Sequence, residues 1–81
     1  MPTILRIGPY RFYFYSHEAN EPPHIHIDKD QWSAKFWLEN VYLAENVGFP
    51  KKELNELEKL VVKHQKQLLD GWYAFFGTQN R

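Results

Sequence analysis

The sequence predicts an α+β fold: a four- to five-stranded antiparallel meander sheet with one long C-terminal helix packed on one face. Three observations predict it. Short runs rich in β-branched and aromatic residues, separated by turn residues, fill the first half of the chain. Composition changes once, near Gly48-Phe49-Pro50. Beyond that point apolar residues recur at spacings of three and four, the period of a helix. A chain of 81 residues has room for one domain, 1–81, with strands over about 3–45 and the helix over about 50–76.

Composition supports a core without staples. A domain of this size buries only roughly 60–65% of its unfolded surface. Six Phe, five Tyr and three Trp close a small core efficiently, because each aromatic ring buries about 150–250 Å². With no cysteine, neither disulfides nor a thiolate metal site is available, and a reducing cytoplasm is the expected setting. A formal net charge of zero argues against nucleic-acid binding by bulk charge, though not against a local basic patch. No basic segment precedes an apolar run as in a secretory signal. No stretch of about 18 apolar residues offers a membrane span.

Taken in order, Thr3 to Ile7 is a short β-rich run, and Gly8-Pro9 a turn. Tyr10 to Ser16 is the clearest strand, aromatic at five of its seven positions. His17 to Pro23 is a polar loop ending in two prolines, and Pro23 biases Pro22 toward extended backbone. His24 to Asp28 alternates polar and apolar, as a half-buried strand does. Lys29-Asp30 forms a tight turn without the favoured Gly. Gln31 to Leu38 is a further strand, and Val41 to Ala44 a short fifth. Pro50 suits the first helical position. Leu54, Leu57, Val61, His64, Leu68, Trp72 and Phe75 then form one stripe, widened by Leu60, Leu69 and Phe76. Gly71 either ends the helix after Asp70 or sits inside a longer one at a cost of about 1 kcal/mol against Ala. An unbroken helix of about 26 residues would run near 39 Å at about 1.5 Å per residue. That length implies an overhang and a possible homo-oligomer.

Strand parity separates two faces. Leu5, Ile7, Phe12, Phe14, Ile25, Ile27, Ala34, Phe36 and Leu38 belong against the helix. Arg6, Arg11, Tyr13, Tyr15, His24, His26, Asp28, Ser33, Lys35 and Trp37 belong on the other side. A solvated face needs no function. Tyr13, Tyr15 and Trp37 beside two histidines, however, are unusual for an idle surface and suggest recognition.

His24 and His26 point the same way, with Cβ atoms expected about 6.5–7 Å apart. Three readings stay open. In acid–base chemistry on a phosphodiester, His24 and His26 serve as base and acid, tuned by Glu21, with Arg11 or Lys35 holding the phosphate. In a divalent-metal site, His24 and His26 are ligands and Glu18, Glu21 or His17 completes the shell. In a structural role, the imidazoles bond loop carbonyls and Glu21 to hold the diproline turn. Tyr13, Tyr15, Trp37, Arg6, His17 and Glu18 would line a binding surface. His64, alone in the helix stripe, reads as a core-edge residue with one satisfied nitrogen. The charged positions between Lys51 and Lys66 read as a solvated helix face.

Pro2-Thr3-Ile4, Arg11-Phe12-Tyr13-Phe14-Tyr15-Ser16, Glu21-Pro22-Pro23-His24-Ile25-His26 and Ala34-Lys35-Phe36-Trp37-Leu38 together resemble the bacterial domain of unknown function 4160 family. The resemblance spans nearly the whole chain and is strongest over residues 2–45. It singles out Glu18, Glu21, Pro22, Pro23, His24, His26, Lys35 and Trp37. It implies a small stand-alone protein, encoded beside a second small protein of the domain of unknown function 2442 type. That pair has been proposed as a toxin–antitoxin module. The resemblance carries no established reaction. The expectation it supports is a toxin-like component that binds or cleaves RNA; the alternatives are a non-catalytic module that docks a partner protein and a metal-binding protein.

Overall fold

The computed structural model describes residues 3–16, 18 and 20–77. Its elements are β1 (Thr3–Ile7), β2 (Tyr10–Tyr13), β3 (His24–Lys29), β4 (Trp32–Trp37), β5 (Tyr42–Val47), α1 (Lys51–Lys63) and α2 (Gln65–Phe76). The strands form one antiparallel meander in the order β1-β2-β3-β4-β5. This is the predicted α+β architecture. No helix among the described residues is long and apolar enough to cross a membrane.

Parity sorts the core as expected. Phe12, Phe14, Ile25, Ile27, Ala34, Phe36 and Leu38 are buried with Leu57, Val61, Leu68 and Trp72 of the helices. Leu5 and Ile7 pack at its margin, joined by Ile4. A register irregularity between Thr3 and Leu5 lets β1 turn both neighbours inward.

Three local details depart from the sequence reading. β2 ends at Tyr13, so Phe14 and Tyr15 continue beyond the ladder rather than within it. β5 runs three residues further than Val41 to Ala44 allowed, to Val47. Pro50 is the residue before the first helical turn rather than within it; its extended backbone leaves its carbonyl to accept Leu54 N–H at 2.9 Å.

The helical segment is interrupted, but at His64 and not at Gly71. His64 has φ −108° and ψ 17°. Both its backbone N–H and its ring Nδ1 lie 3.0 Å from the Leu60 carbonyl. The ring thus competes for the acceptor that keeps the helix straight, a known cause of bending. Gly71 lies inside α2 for a packing reason. A Cβ there would stand 3.1 Å from Ile4 Cδ1, so its absence lets β1 approach the helix closely. At the other end of the sheet, Gly48 has φ +102°, and a Cβ would collide with Trp32 Cδ1. Only glycine fits both that backbone and the indole beside it.

Candidate functional site

The register places the predicted polar set in three cross-strand rows on the side of the sheet opposite the buried core residues. Tyr13, His26, Lys35 and Glu45 are successive partners across four strands. His24, Trp37 and Tyr42 form the adjacent row. Arg6 pairs with Arg11, and Arg11 with Asp28.

This side is far less open than a solvated sheet face. His24 is fully buried, Tyr13 is 3% exposed and Lys35 8%. Glu18 and residues 20–23, between β2 and β3, fold back over them. They are fixed by Glu21 N–H donating to the Glu18 carbonyl at 3.2 Å and Leu38 N–H donating to the Pro23 carbonyl at 3.0 Å. Alternation alone cannot foresee this cover, because a long loop contributes no period.

Glu18 is the centre of the arrangement. Its Oε1 lies 2.8 Å from His24 Nε2 and 3.1 Å from His26 Nε2, while its Oε2 lies 3.2 Å from His26 Nε2. Tyr15 N–H donates to the same Oε1 at 3.1 Å. His24 Nδ1 sits 2.9 Å from the Pro22 carbonyl. A carbonyl only accepts, so Nδ1 donates to Pro22, and Nε2 faces the Glu18 carboxylate. The diproline thereby sets the imidazole's orientation.

Electrostatics follow from this packing. Burial pulls the Glu18 carboxyl upward. The hydrogen bonds from His24 and Tyr15, with the nearby imidazoles, outweigh it and hold Glu18 below the usual carboxylate range. His26 is held below the ordinary imidazole range, chiefly by burial and then by His24 and Lys35, against an opposing pull from Glu18. Glu21 is lowered by the Lys35 ammonium, whose Nζ stands 2.8 Å from its Oε1.

Aromatic rings wall the cluster. His26 stacks on Tyr13 at 5.3 Å between centroids and meets Tyr15 edge-on at 4.9 Å. His24 meets Trp37 at 5.8 Å and His26 at 5.2 Å. Standing at the start of β3, His24 also touches Trp72 of α2 at 4.9 Å. Its ring therefore spans the seam between the two layers. The cations are engaged nearby: the Arg11 guanidinium lies over Tyr13 at 4.6 Å and Lys35 Nζ over Trp37 at 4.7 Å. Tyr13 OH donates to Asp28 Oδ1 at 3.0 Å, which fixes the ring under His26.

Of the sequence candidates, His24, His26, Glu18, Glu21, Lys35, Tyr13, Tyr15 and Trp37 come together here. Arg11 borders the group through Tyr13, while Arg6 is exposed on β1. His17 lies outside the described residues. The bridging position of Glu18 was not legible from spacing, since five residues of loop separate it from His24. Nor was the Trp72 contact, whereas the bond from His24 Nδ1 to the Pro22 carbonyl is a loop-carbonyl bond of the kind the structural reading expects. His64 bonds its own helical segment through Nδ1, as expected of a core-edge residue with one satisfied nitrogen.

Glu18, His24 and His26 each offer a ligand atom, and these atoms all lie within 4.8 Å of one another. No other set of three potential ligands is grouped in this way among the described residues. The family model described as domain of unknown function (DUF4160) matches residues 10–73. No curated protein and no solved structure matches the chain.

Proposed function

The chain belongs to the DUF4160 family, and from the geometry of its Glu18, His24 and His26 side chains we propose that it binds a divalent transition-metal ion. The observation that carries this reading is the convergence of two imidazole Nε2 atoms on one carboxylate at 2.8–3.2 Å. Metal bonds of about 2.0–2.2 Å set at octahedral or tetrahedral angles leave neighbouring ligand atoms about 2.8–3.6 Å apart. A small outward shift of the three side chains thus makes room for an ion.

The donor set suits Zn²⁺, Co²⁺, Ni²⁺ or Fe²⁺ rather than Mg²⁺ or Ca²⁺, which prefer oxygen. The Nδ1–H to carbonyl bond from His24 to Pro22 is the usual outer support of a ligating histidine. A lowered Glu18 is ionised and a lowered His26 is neutral near pH 7, the states in which both coordinate metal. Three protein ligands leave at least one position for water or another molecule.

Titration of untagged protein with Co²⁺ and Zn²⁺ tests this reading. Expected are Co²⁺ absorption bands at one ion per chain and a rise in Tm with Zn²⁺. Both should vanish in His26→Ala and in Glu18→Ala. Equal absorption and equal Tm shifts in the wild type and both variants, or no binding at all, would sink the proposal.

A second reading, docking of a partner protein within a two-gene toxin–antitoxin module, is favoured by the open outer edge of β5. That strand leaves Tyr42 57%, Leu43 39% and Val47 64% exposed, a combination suited to strand addition. The test is co-purification with a neighbouring-gene product of the domain of unknown function 2442 type, compared with Val47→Lys. An undiminished complex in that variant would remove the edge from consideration. The RNA-cleaving form of this reading has less support, because both Nε2 atoms meet Glu18 and Lys35 is paired with Glu21.

A further inference from the structure

Beyond the metal-binding reading, and independent of it, the structure points to a recognition site for a cationic side chain. The site is a cleft of about 370 Å³ beside the histidine segment, lined by Pro22, Pro23, Trp37, Glu39, Asn40 and Tyr42. We propose that it receives an arginine side chain of a partner protein.

Four observations build the case. Trp37 and Tyr42 are direct partners across β4 and β5, so their rings project from the same side of the sheet. Glu39 is the one charged residue in the lining, so the cleft complements positive charge. The carboxylate is also fixed in place. Tyr73 OH donates to Glu39 Oε2 at 3.2 Å, and Gln65 Nε2 donates to the Leu38 and Glu39 carbonyls at 2.6 and 3.3 Å. Helix α2 thus holds the turn that carries Glu39, and this acid is not a freely swinging surface group. Finally, the same indole already accepts a cation within the molecule, since Lys35 Nζ lies 4.7 Å from the centroid of Trp37.

Aromatic faces, apolar prolines and a single carboxylate suit a side chain with an apolar stem and a charged head. Arginine fits better than lysine. Its planar guanidinium can stack on Tyr42 or Trp37 and direct N–H groups to a carboxylate at the same time. Asn40 adds a neutral carbonyl acceptor at the rim. An acidic or neutral polar side chain would gain neither interaction.

The experiment uses the full chain, labelled with ¹⁵N, and N-acetyl-arginine methylamide as the probe. The matched citrulline compound is a neutral control of nearly the same shape, and the lysine compound tests the planar head. Expected are millimolar binding of the arginine probe and shifts confined to the Trp37 indole N–H and the amides of residues 37–42. The lysine compound should bind more weakly, and the citrulline compound at least fivefold more weakly. Tyr42→Ala and Glu39→Gln, both at exposed positions, should each weaken the arginine probe at least fivefold while leaving the rest of the spectrum in place. Equal binding of citrulline, shifts elsewhere on the surface, or no shifts would each overturn the proposal. Metal titration of the same samples separates this result from the fate of the Glu18, His24 and His26 site, because neither substitution touches those ligands.

Discussion

Both sides of this sheet hold buried residues, yet they are buried by different physics. Phe36 and Lys35 are neighbours on β4, with 1% and 8% exposure. Phe36 enters a hydrocarbon core with Ile25, Leu57 and Val61. Lys35 points to the other side, where its ammonium meets Glu21 and Trp37. On the first side, removing water from apolar surface stabilises the fold in proportion to area. On the second, every buried polar group must find a partner, and the net gain from each pair is modest. No buried side-chain nitrogen or oxygen among the described residues lacks a partner. The difference teaches that burial alone does not identify stabilising residues. One side provides stability; the other holds a polar arrangement whose parts can be exchanged for a ligand.

The largest expected effect breaks the first side. Phe36→Ala should cost about 3–5 kcal/mol, as truncation of a fully buried aromatic leaves a cavity that neighbours fill only partly. Against a total stability of roughly 5–15 kcal/mol for a domain, most of the margin is gone. Urea titration followed by circular dichroism checks it. A loss below about 1 kcal/mol would mean that the helix layer does not cover this face as described.

Acid provides an intermediate effect and acts only on the second side. The His26 pKa is lowered in the fold, chiefly by burial. The unfolded chain therefore takes up a proton that the folded chain resists. Its contribution is fully present above the ordinary imidazole value of about 6.5 and is lost as pH falls below it toward the lowered folded value. Glu18 and Glu21 act in the next window down. Their folded values lie below the ordinary carboxylate value of about 4.3, so their contribution disappears as pH falls through those folded values. The urea midpoint should thus begin to fall already below about pH 6.5. His26→Gln, whose amide still donates to Glu18, should remove that upper step and keep the lower one. A wild-type midpoint that stays flat down to the carboxylate range would show that His26 does not resist protonation.

The sequence made the first side legible and the second only in part. Alternation in Tyr10 to Ser16 and His24 to Asp28, with the 3–4 spacing after Pro50, was enough to assign the core and the strand order. These signals are periodic, and tertiary packing agrees with them. Parity also put His24, His26, Tyr13, Lys35 and Trp37 on one side. What it did not give was their enclosure. That depends on how an aperiodic loop returns across the sheet and brings the Glu18 carboxylate to His24, six positions away in sequence. The break at His64 was hidden for a related reason. Helical spacing continues unchanged through it, and the cause is a ring-to-carbonyl bond to Leu60 that no pattern records. Gly71 stayed ambiguous in the sequence because glycine ends helices and also permits close packing, and only the position of Ile4 decides between them.

The smallest expected effect sharpens the comparison most. Lys35→Met removes the ammonium but keeps an unbranched stem that can lie against Trp37. The ion pair it breaks joins a lysine side chain of 11% exposure to a glutamate of 41% exposure. Glu21 reaches water, so losing its partner does not leave a buried charge stranded, and the penalty seen for enclosed pairs does not apply. The cost should be that of a solvent-screened pair, within about 1 kcal/mol. Lys35 and Phe36 would then differ severalfold in their contribution although both are more than nine-tenths buried on the same strand. If Lys35→Met instead matched Phe36→Ala in the same urea titration, the polar side would be as structural as the core. Glu18, His24 and His26 would then be held too rigidly to part for an ion.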